Sequence, residues 1–391
     1  MPNCNPAGIA PYVPTVSQPW NKDRVMHLYR RIGFGATPQQ LDDALLMTPE
    51  ALIDQLVDEV FSMPPTPPPL WANWTRDPVN DYLVDFGDES RDHREEWAAT
   101  WFTNMITNPF RGKLTLFWHN HFVTQWVTYQ CSAYMYRYYR LLEEYAVGNF
   151  KDFTHEMGKT PAMLLFLNGT QSSKYGPNEN YARELYELFT LGQDNNYTQQ
   201  DIVETSKALT GWHASVQHCR DTSFDSDRYD EGEKTIFGQT GTWNYDDVHD
   251  ILFTERRDEI AQHICTKIYR YFVYDTADAG IVNEMATTFK ENNFELAPVF
   301  RQLFKSQHFF DDTFCGVRIK SPIESFVSII HMSQFEYSTD NLVSIFYACR
   351  NLGQELFTPV NVAGWPGHRT WINENTITQR WNLQNSRILN G

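Results

Sequence analysis

The chain has no pair of cysteines spaced C-x-x-C and more acidic than basic side chains. Nor does it contain an apolar run near the roughly 20 residues that cross a bilayer. Each shortage excludes something. Six cysteines are scattered at Cys4, Cys131, Cys219, Cys265, Cys315 and Cys349, so neighbours build neither a zinc knuckle nor a thioredoxin-type pair. Cys265 and Cys349 fall in helical patterns and are expected as buried free thiols. Cys219 lies in a polar loop and can pair, with no partner readable from spacing. Without a long apolar run, no membrane span is expected. With 32 Lys and Arg against 49 Asp and Glu, net charge −17, the surface repels phosphate backbones and anionic lipids. Nucleic acid and membrane surfaces are therefore not expected partners. The opening MPNCNPAGIAPYVPTVSQPW has neither a basic n-region nor an apolar h-region and does not read as a signal peptide. G-x-S-x-G, H-E-x-x-H and the dinucleotide fingerprint are absent, and EKTIFGQTG (233 to 241) lacks the G-K-[ST] ending of a phosphate loop.

What is present is a core-forming composition: 41% hydrophobic, 15% aromatic and only 21% charged residues. The aromatics suit a thick core, or surfaces that stack on flat ligands such as sugars. Helix-start grammar recurs: Thr37-Pro-Gln-Gln40 and Ser321-Pro-Ile-Glu324 each offer a capping hydroxyl, a first-turn proline and a box-closing Gln or Glu. Thr48-Pro49 and Asn108-Pro109 repeat the cap and proline, and Thr198 with Asp201 is a weaker version. Interiors follow a 3.6 period, as in Trp97, Trp101, Met105 and in Ile260, Ile264, Ile268. Gly192, Gly211 and Gly353 read as stops. On the order of a dozen helices are expected. The fold class is mainly α, a compact multi-helix domain with a small irregular, β-hairpin excursion around residues 213–246. An N-terminal helical segment (1–62), a Pro-rich strap (63–70, MPPTPPPL) and a main helical part (71–391) are expected to form one compact unit.

Four constellations could carry chemistry. In WHNHF (118 to 122), a helix starting at Asn108 puts Phe110, Leu114, Phe117, Trp118 and His121 on one buried stripe. His119 then lies about 200° from His121 on the helical wheel. The pair converges only if the helix ends near His119, so two readings stay open: a core histidine beside a surface or capping one, or a shared site. In PNENYARELYELFTLG (177 to 192), Glu179, Arg183 and Glu187 form an ion-pair ladder, Tyr181, Leu185 and Leu188 face the core, and Asn180, Glu184 and Glu187 form a second polar edge. Glu184 and Glu187, one turn apart, suit acid/base work or metal ligation, or a solvated face. Di-iron chemistry is not expected without Glu-x-x-His. In LTGWHASVQH (209 to 218), Trp212, His213 and His218 precede Asp225, Asp227, Asp230 and Glu231, which suit a hard cation or simply an acidic loop. In NVAGWPGHRTW (361 to 371), a tight turn presents Trp365, with His368, Arg369 and Trp371 behind it, as a sugar or carboxylate platform or as a buried pin.

Taken together, HLYRRIGFGATP (27 to 38), KLTLFWHNHFVT (113 to 124), PNENYARELYELFTLG, ALTGW (208 to 212), KTIFGQTG (234 to 241), RIKSPIE (318 to 324) and LGQELFTPVNVAGWPG (352 to 367) resemble, in order, the hallmark blocks of domain-of-unknown-function family 1800. The resemblance implies a large bacterial protein of an exported family, without an assigned activity, whose genes often neighbour those of family 1501. Members of that second family resemble alkaline phosphatases and sulphatases, so one of them is the partner the resemblance implies. Relatives often carry a histidine where this chain has Phe189.

The expectation is a hydrolase or transferase acting on an extracytoplasmic polymer such as a glycan, with a divalent metal as candidate cofactor. His119, His121, Glu184 and Glu187 are the candidate catalytic residues. Asn180, Arg183, Trp212, Trp365 and Arg369 are the candidate substrate-binding residues. The alternative is a non-catalytic binding or assembly protein that partners a phosphatase- or sulphatase-like protein.

Overall fold

The computed structural model describes residues 7–77 and 79–389, with side chains of the last helix through 382; Cys4 lies outside the described residues. Among them the chain forms eighteen helical segments. In order these are α1 Lys22–Ile32, α2 Pro38–Leu45, α3 Pro49–Ser62, α4 Phe86–Thr107, α5 Pro109–His121 and α6 Trp126–Tyr129. They continue with α7 Ser132–Glu144, α8 Phe150–Gly158, α9 Pro161–Phe166, α10 Asn180–Glu184, α11 Gln199–Ala208 and α12 Tyr245–Glu255. The last six are α13 Arg257–Phe272, α14 Ala279–Glu291, α15 Leu296–Lys305, α16 Pro322–Ser333, α17 Thr339–Asn351 and α18 Glu374–Leu389. The mainly helical class is therefore borne out, and so is the small strand excursion. Trp212–His213 pairs antiparallel with Ser223–Phe224, and Lys234–Ile236 pairs with Gln239–Gly241.

Capping explains many of these starts. Thr37 with Gln40, Thr198 with Asp201 and Ser321 with Glu324 all close reciprocal capping boxes, so orphan N–H groups are satisfied on both sides. Asn108 departs from expectation. Its side chain donates to Thr107 Oγ1 and caps nothing, leaving Pro109 to define the helix start. One buried apolar cluster runs from Tyr12 to Trp371. The Pro-rich strap is tied to it by polar contacts: Thr66 donates through N and Oγ1 to the Glu143 carboxylate (2.9 and 2.7 Å), and Arg111 donates to Pro64 O (2.7 Å). Cys131 and Cys219 form a disulfide that fastens the polar excursion to the start of α7. Cys265 and Cys349 are free and buried, as expected.

Helix α5 is the central element. Every residue from Phe110 to His119, and His121, is buried. It approaches α4 so closely at Gly112 that a β-carbon there would lie 2.6 Å from Met105 Cα. A helix enclosed on all sides has no solvent face, and this decides the fate of its two histidines.

Candidate functional site

Helix α5 stays helical through His121, so His119 and His121 do not converge. His119 is not the surface or capping residue that the wheel suggested; it is fully buried. The Phe357 backbone N–H donates to its Nε2 (3.1 Å), which places the proton on Nδ1. That nitrogen donates to Tyr138 Oη (2.7 Å), whose hydroxyl donates to Phe122 O (2.7 Å). Every polar atom of the chain is satisfied, and burial pushes the imidazole down to about 3. His119 is a neutral tie between α5, α7 and the 356–358 segment.

Asn120 is equally committed. It accepts from Trp365 N (2.6 Å) and donates to Trp365 O (3.3 Å). The neighbouring Gly364 has φ +84, and a β-carbon there would lie 2.3 Å from Asn120 Oδ1. The GWPG turn is thereby clipped against the end of α5.

His121 differs. It is 2% exposed, and its Nε2 donates to Phe189 O (3.1 Å) while its Nδ1 has no partner. A carbonyl can only accept, so the proton sits on Nε2 and the Nδ1 lone pair is free. Burial, then the nearby Lys267 and His263, hold its pKa well below the usual histidine range.

The carbonyl that orients His121 comes from an unexpected source. The segment read as one regular helix from 177 to 192 is α-helical only over Asn180–Glu184; Leu185–Thr190 is a π-helix. The wider turn shifts the inward positions, burying Tyr186 and Phe189 and leaving Leu188 only half-buried. It also frees backbone acceptors. Leu188 O takes His263 Nε2 (3.2 Å) and Lys267 Nζ (3.4 Å), while Phe189 O takes His121.

His121 lines a cleft of about 360 Å³, bounded by the end of α5, α13, the 318–324 segment and the GWPG turn. Its charged walls include Lys267, Arg270, Arg318, Asp275 and Glu324. Glu324 is spoken for. Ser321 N donates to its carboxylate (2.7 Å), as do Arg318 (2.8 Å) and Lys113. Burial alone would raise its pKa, yet Arg318 and Lys113 pull it well below the usual carboxylate range. Asp275 faces His368 Nε2 at 3.3 Å. Lys267 and Arg270 have no ion-pair partner among the described residues. Burial holds Lys267 down to about 8. A chain of net charge −17 thus concentrates unpaired positive charge beside a neutral histidine with a free lone pair. Sequence reading missed Asn120, Lys267, Arg270, Arg318 and Glu324. The last two lie inside the RIKSPIE block, where Glu324 reads only as a capping-box residue.

The other sequence-derived residues are dispersed. Glu187 and Glu179 flank Arg183 (3.3 and 2.9 Å), the expected ladder, and Arg183 also donates to Gln199 (2.9 Å). Glu184 is partly buried with a raised pKa, from desolvation and then the Glu187 charge. No hydrogen bond or ion pair among the described residues joins either glutamate to His119 or His121. Asn180 is exposed at the start of α10. Trp212 packs against Phe224 and Tyr245 (5.3 and 5.7 Å), away from the cleft lining. Trp365 is buried and lines the cleft, while Arg369 is exposed on the adjoining 3₁₀ turn. His218 faces Asp77 (2.9 Å), Asp225 caps the following turn and Asp230 faces Lys234. Among the described residues no group of three or more His, Cys, Asp or Glu could hold a metal ion, so no step is derived through one. No described helix is long and apolar enough to cross a membrane.

Neither the curated proteins nor the solved structures contain a match to the chain. The family model described as protein of unknown function DUF1800 matches residues 27–388, and the chain belongs to that family.

Proposed function

We propose that the cleft binds an anionic group and that the protein is a hydrolase or transferase acting on an acidic extracytoplasmic polymer, such as an acidic glycan. The observation that carries this reading is that unneutralised Lys267 and Arg270 line one cleft together with His121, whose buried Nδ1 has no partner. Lys267 and Arg270 hold the carboxylate, sulphate or phosphate of the substrate. His121 Nδ1 accepts the proton of the attacking water or hydroxyl. Burial first, and then the charge of Lys267, depress the basicity of His121; an anion beside Lys267 offsets the second of these and raises the basicity. The base therefore strengthens when substrate arrives. The volume of about 360 Å³ falls in the usual range for a ligand site. The Cys131–Cys219 disulfide supports export to an oxidising compartment, the setting in which such bonds persist.

The sealed network around His119 favours a second reading, in which the cleft binds without chemistry and the protein partners a phosphatase- or sulphatase-like enzyme. Turnover separates the two. Incubation with sulphated and uronate polysaccharides, read by new reducing ends or released sulphate, should show activity that falls at least 100-fold in His121→Gln. Binding without turnover in the wild type would leave the partner reading standing and sink the enzymatic one.

A further inference from the structure

On the other side of the Lys113–Glu324–Arg318 cluster lies a second cavity, of about 460 Å³, walled by α1 and by residues 315–328. It shares Arg318 and Glu324 with the cleft, but its other charged groups are its own. Arg31, on the last turn of α1, is 3% exposed. Its Nη2 donates to Phe314 O, and its Nη1 is buried with no partner. Burial, reinforced by the charge of Arg318, pushes this guanidinium down to about 10. A buried N–H of a cation left unpaired is costly and calls for a partner such as a water, an ion or a ligand. Arg30 and Lys320 also line the cavity, and neither has an ion-pair partner among the described residues. Glu324 is neutralised by Lys113 and Arg318. That leaves Asp23 as the free acid on the wall. Met26 and Leu41 supply an apolar wall beside these cations.

We propose that this cavity is a binding site for a phosphate-bearing small molecule, with the unpaired Nη1 of Arg31, Arg30 and Lys320 on the phosphate and Met26 and Leu41 against its organic part. The guanidinium fork and two lysine or arginine neighbours suit a tetrahedral dianion. A cavity of about 460 Å³ leaves room for a substituent beyond the phosphate itself. The site is independent of the cleft chemistry, since Lys267 and Arg270 lie outside its lining.

Calorimetric titration of the full chain with phenyl phosphate, and with benzoate as a monoanionic control, tests the assignment. Wild type should bind phenyl phosphate at least tenfold more tightly than benzoate. Arg31→Gln should weaken the phosphate at least tenfold, and the cleft variant Lys267→Met should leave it within twofold. Arg30 is exposed, so Arg30→Gln folds and should cost several-fold even if Arg31→Gln misfolds. No binding by wild type, or full binding by both arginine variants, overturns the site. Loss in Lys267→Met alone places the ligand in the cleft and overturns it too, without touching the cleft proposal.

Discussion

His119 and His121 sit two residues apart on one buried helix, share a hallmark block, and are both neutral through burial. The chain around His119 runs from Phe357 through the imidazole and Tyr138 to Phe122, with donor and acceptor matched at each step. Around His121 the matching stops halfway, with one nitrogen tied to Phe189 O and the other buried without a partner. The same contrast divides the acids. The Glu179–Arg183–Glu187 ladder is a partly exposed surface feature, whereas Glu324 is 2% exposed between two cations. Burial alone therefore does not separate the two histidines; the unpartnered nitrogen of a cleft-lining residue does.

Removing one member of the buried ionic cluster should do the greatest damage. Glu324→Gln leaves Lys113 and Arg318 facing each other without a carboxylate, and should cost about 3–5 kcal/mol in denaturant unfolding. A loss under ~1 kcal/mol would mean that the two cations find water or another anion.

The histidine contrast comes next. His119→Gln disturbs two buried partners and should cost about 2–4 kcal/mol, while His121→Gln disturbs one carbonyl and should cost about 1–2 kcal/mol. Equal losses would erase the distinction between the sealed and the open histidine.

Acid sensitivity follows from the same burial. His119 titrates near 3 when folded and near 6.5 when unfolded, so the unfolded chain takes up a proton that the folded chain refuses. Its contribution is therefore fully present above about 6.5 and is lost as pH falls towards 3, by about 1.4 kcal/mol per pH unit. His119→Gln should flatten the pH dependence of the unfolding free energy, measured by urea titration, by that amount between pH 6 and 4. An unchanged slope would show that His119 is already protonated in the fold.

The ladder should matter least. Arg183→Ala removes partly exposed ion pairs and should cost under about 1 kcal/mol, less still at high salt. It should also leave any ligand affinity unchanged.

Much of the fold was legible because its signals are local. The boxes at Thr37, Thr198 and Ser321 span four residues each, and the Trp97–Trp101–Met105 and Ile260–Ile264–Ile268 stripes need only one helix. The π turn was not legible, since a shift from a 3.6 period over six residues leaves no compositional mark. The cleft was harder still. Glu324 was recognised as a capping-box residue, and it is one, but its capture of Lys113 across 211 positions is a tertiary event. Lys267 and Arg270 carried no signal in the sequence, because the absence of partners is a property of the assembled fold. WHNHF drew attention to this helix end, although neither open reading of His119, a surface or capping residue or a site shared with His121, fits an enclosed helix that stays regular through His121.

The test to make first is equilibrium binding of one acidic oligosaccharide, an oligouronate, and its neutral counterpart to wild type, Lys267→Met and Arg183→Ala. The acidic ligand should bind at least tenfold more tightly than the neutral one. Lys267→Met should remove that preference and Arg183→Ala should keep it. Equal binding of both oligomers, or a preference that survives Lys267→Met, would contradict the assignment of the cleft as the anion site.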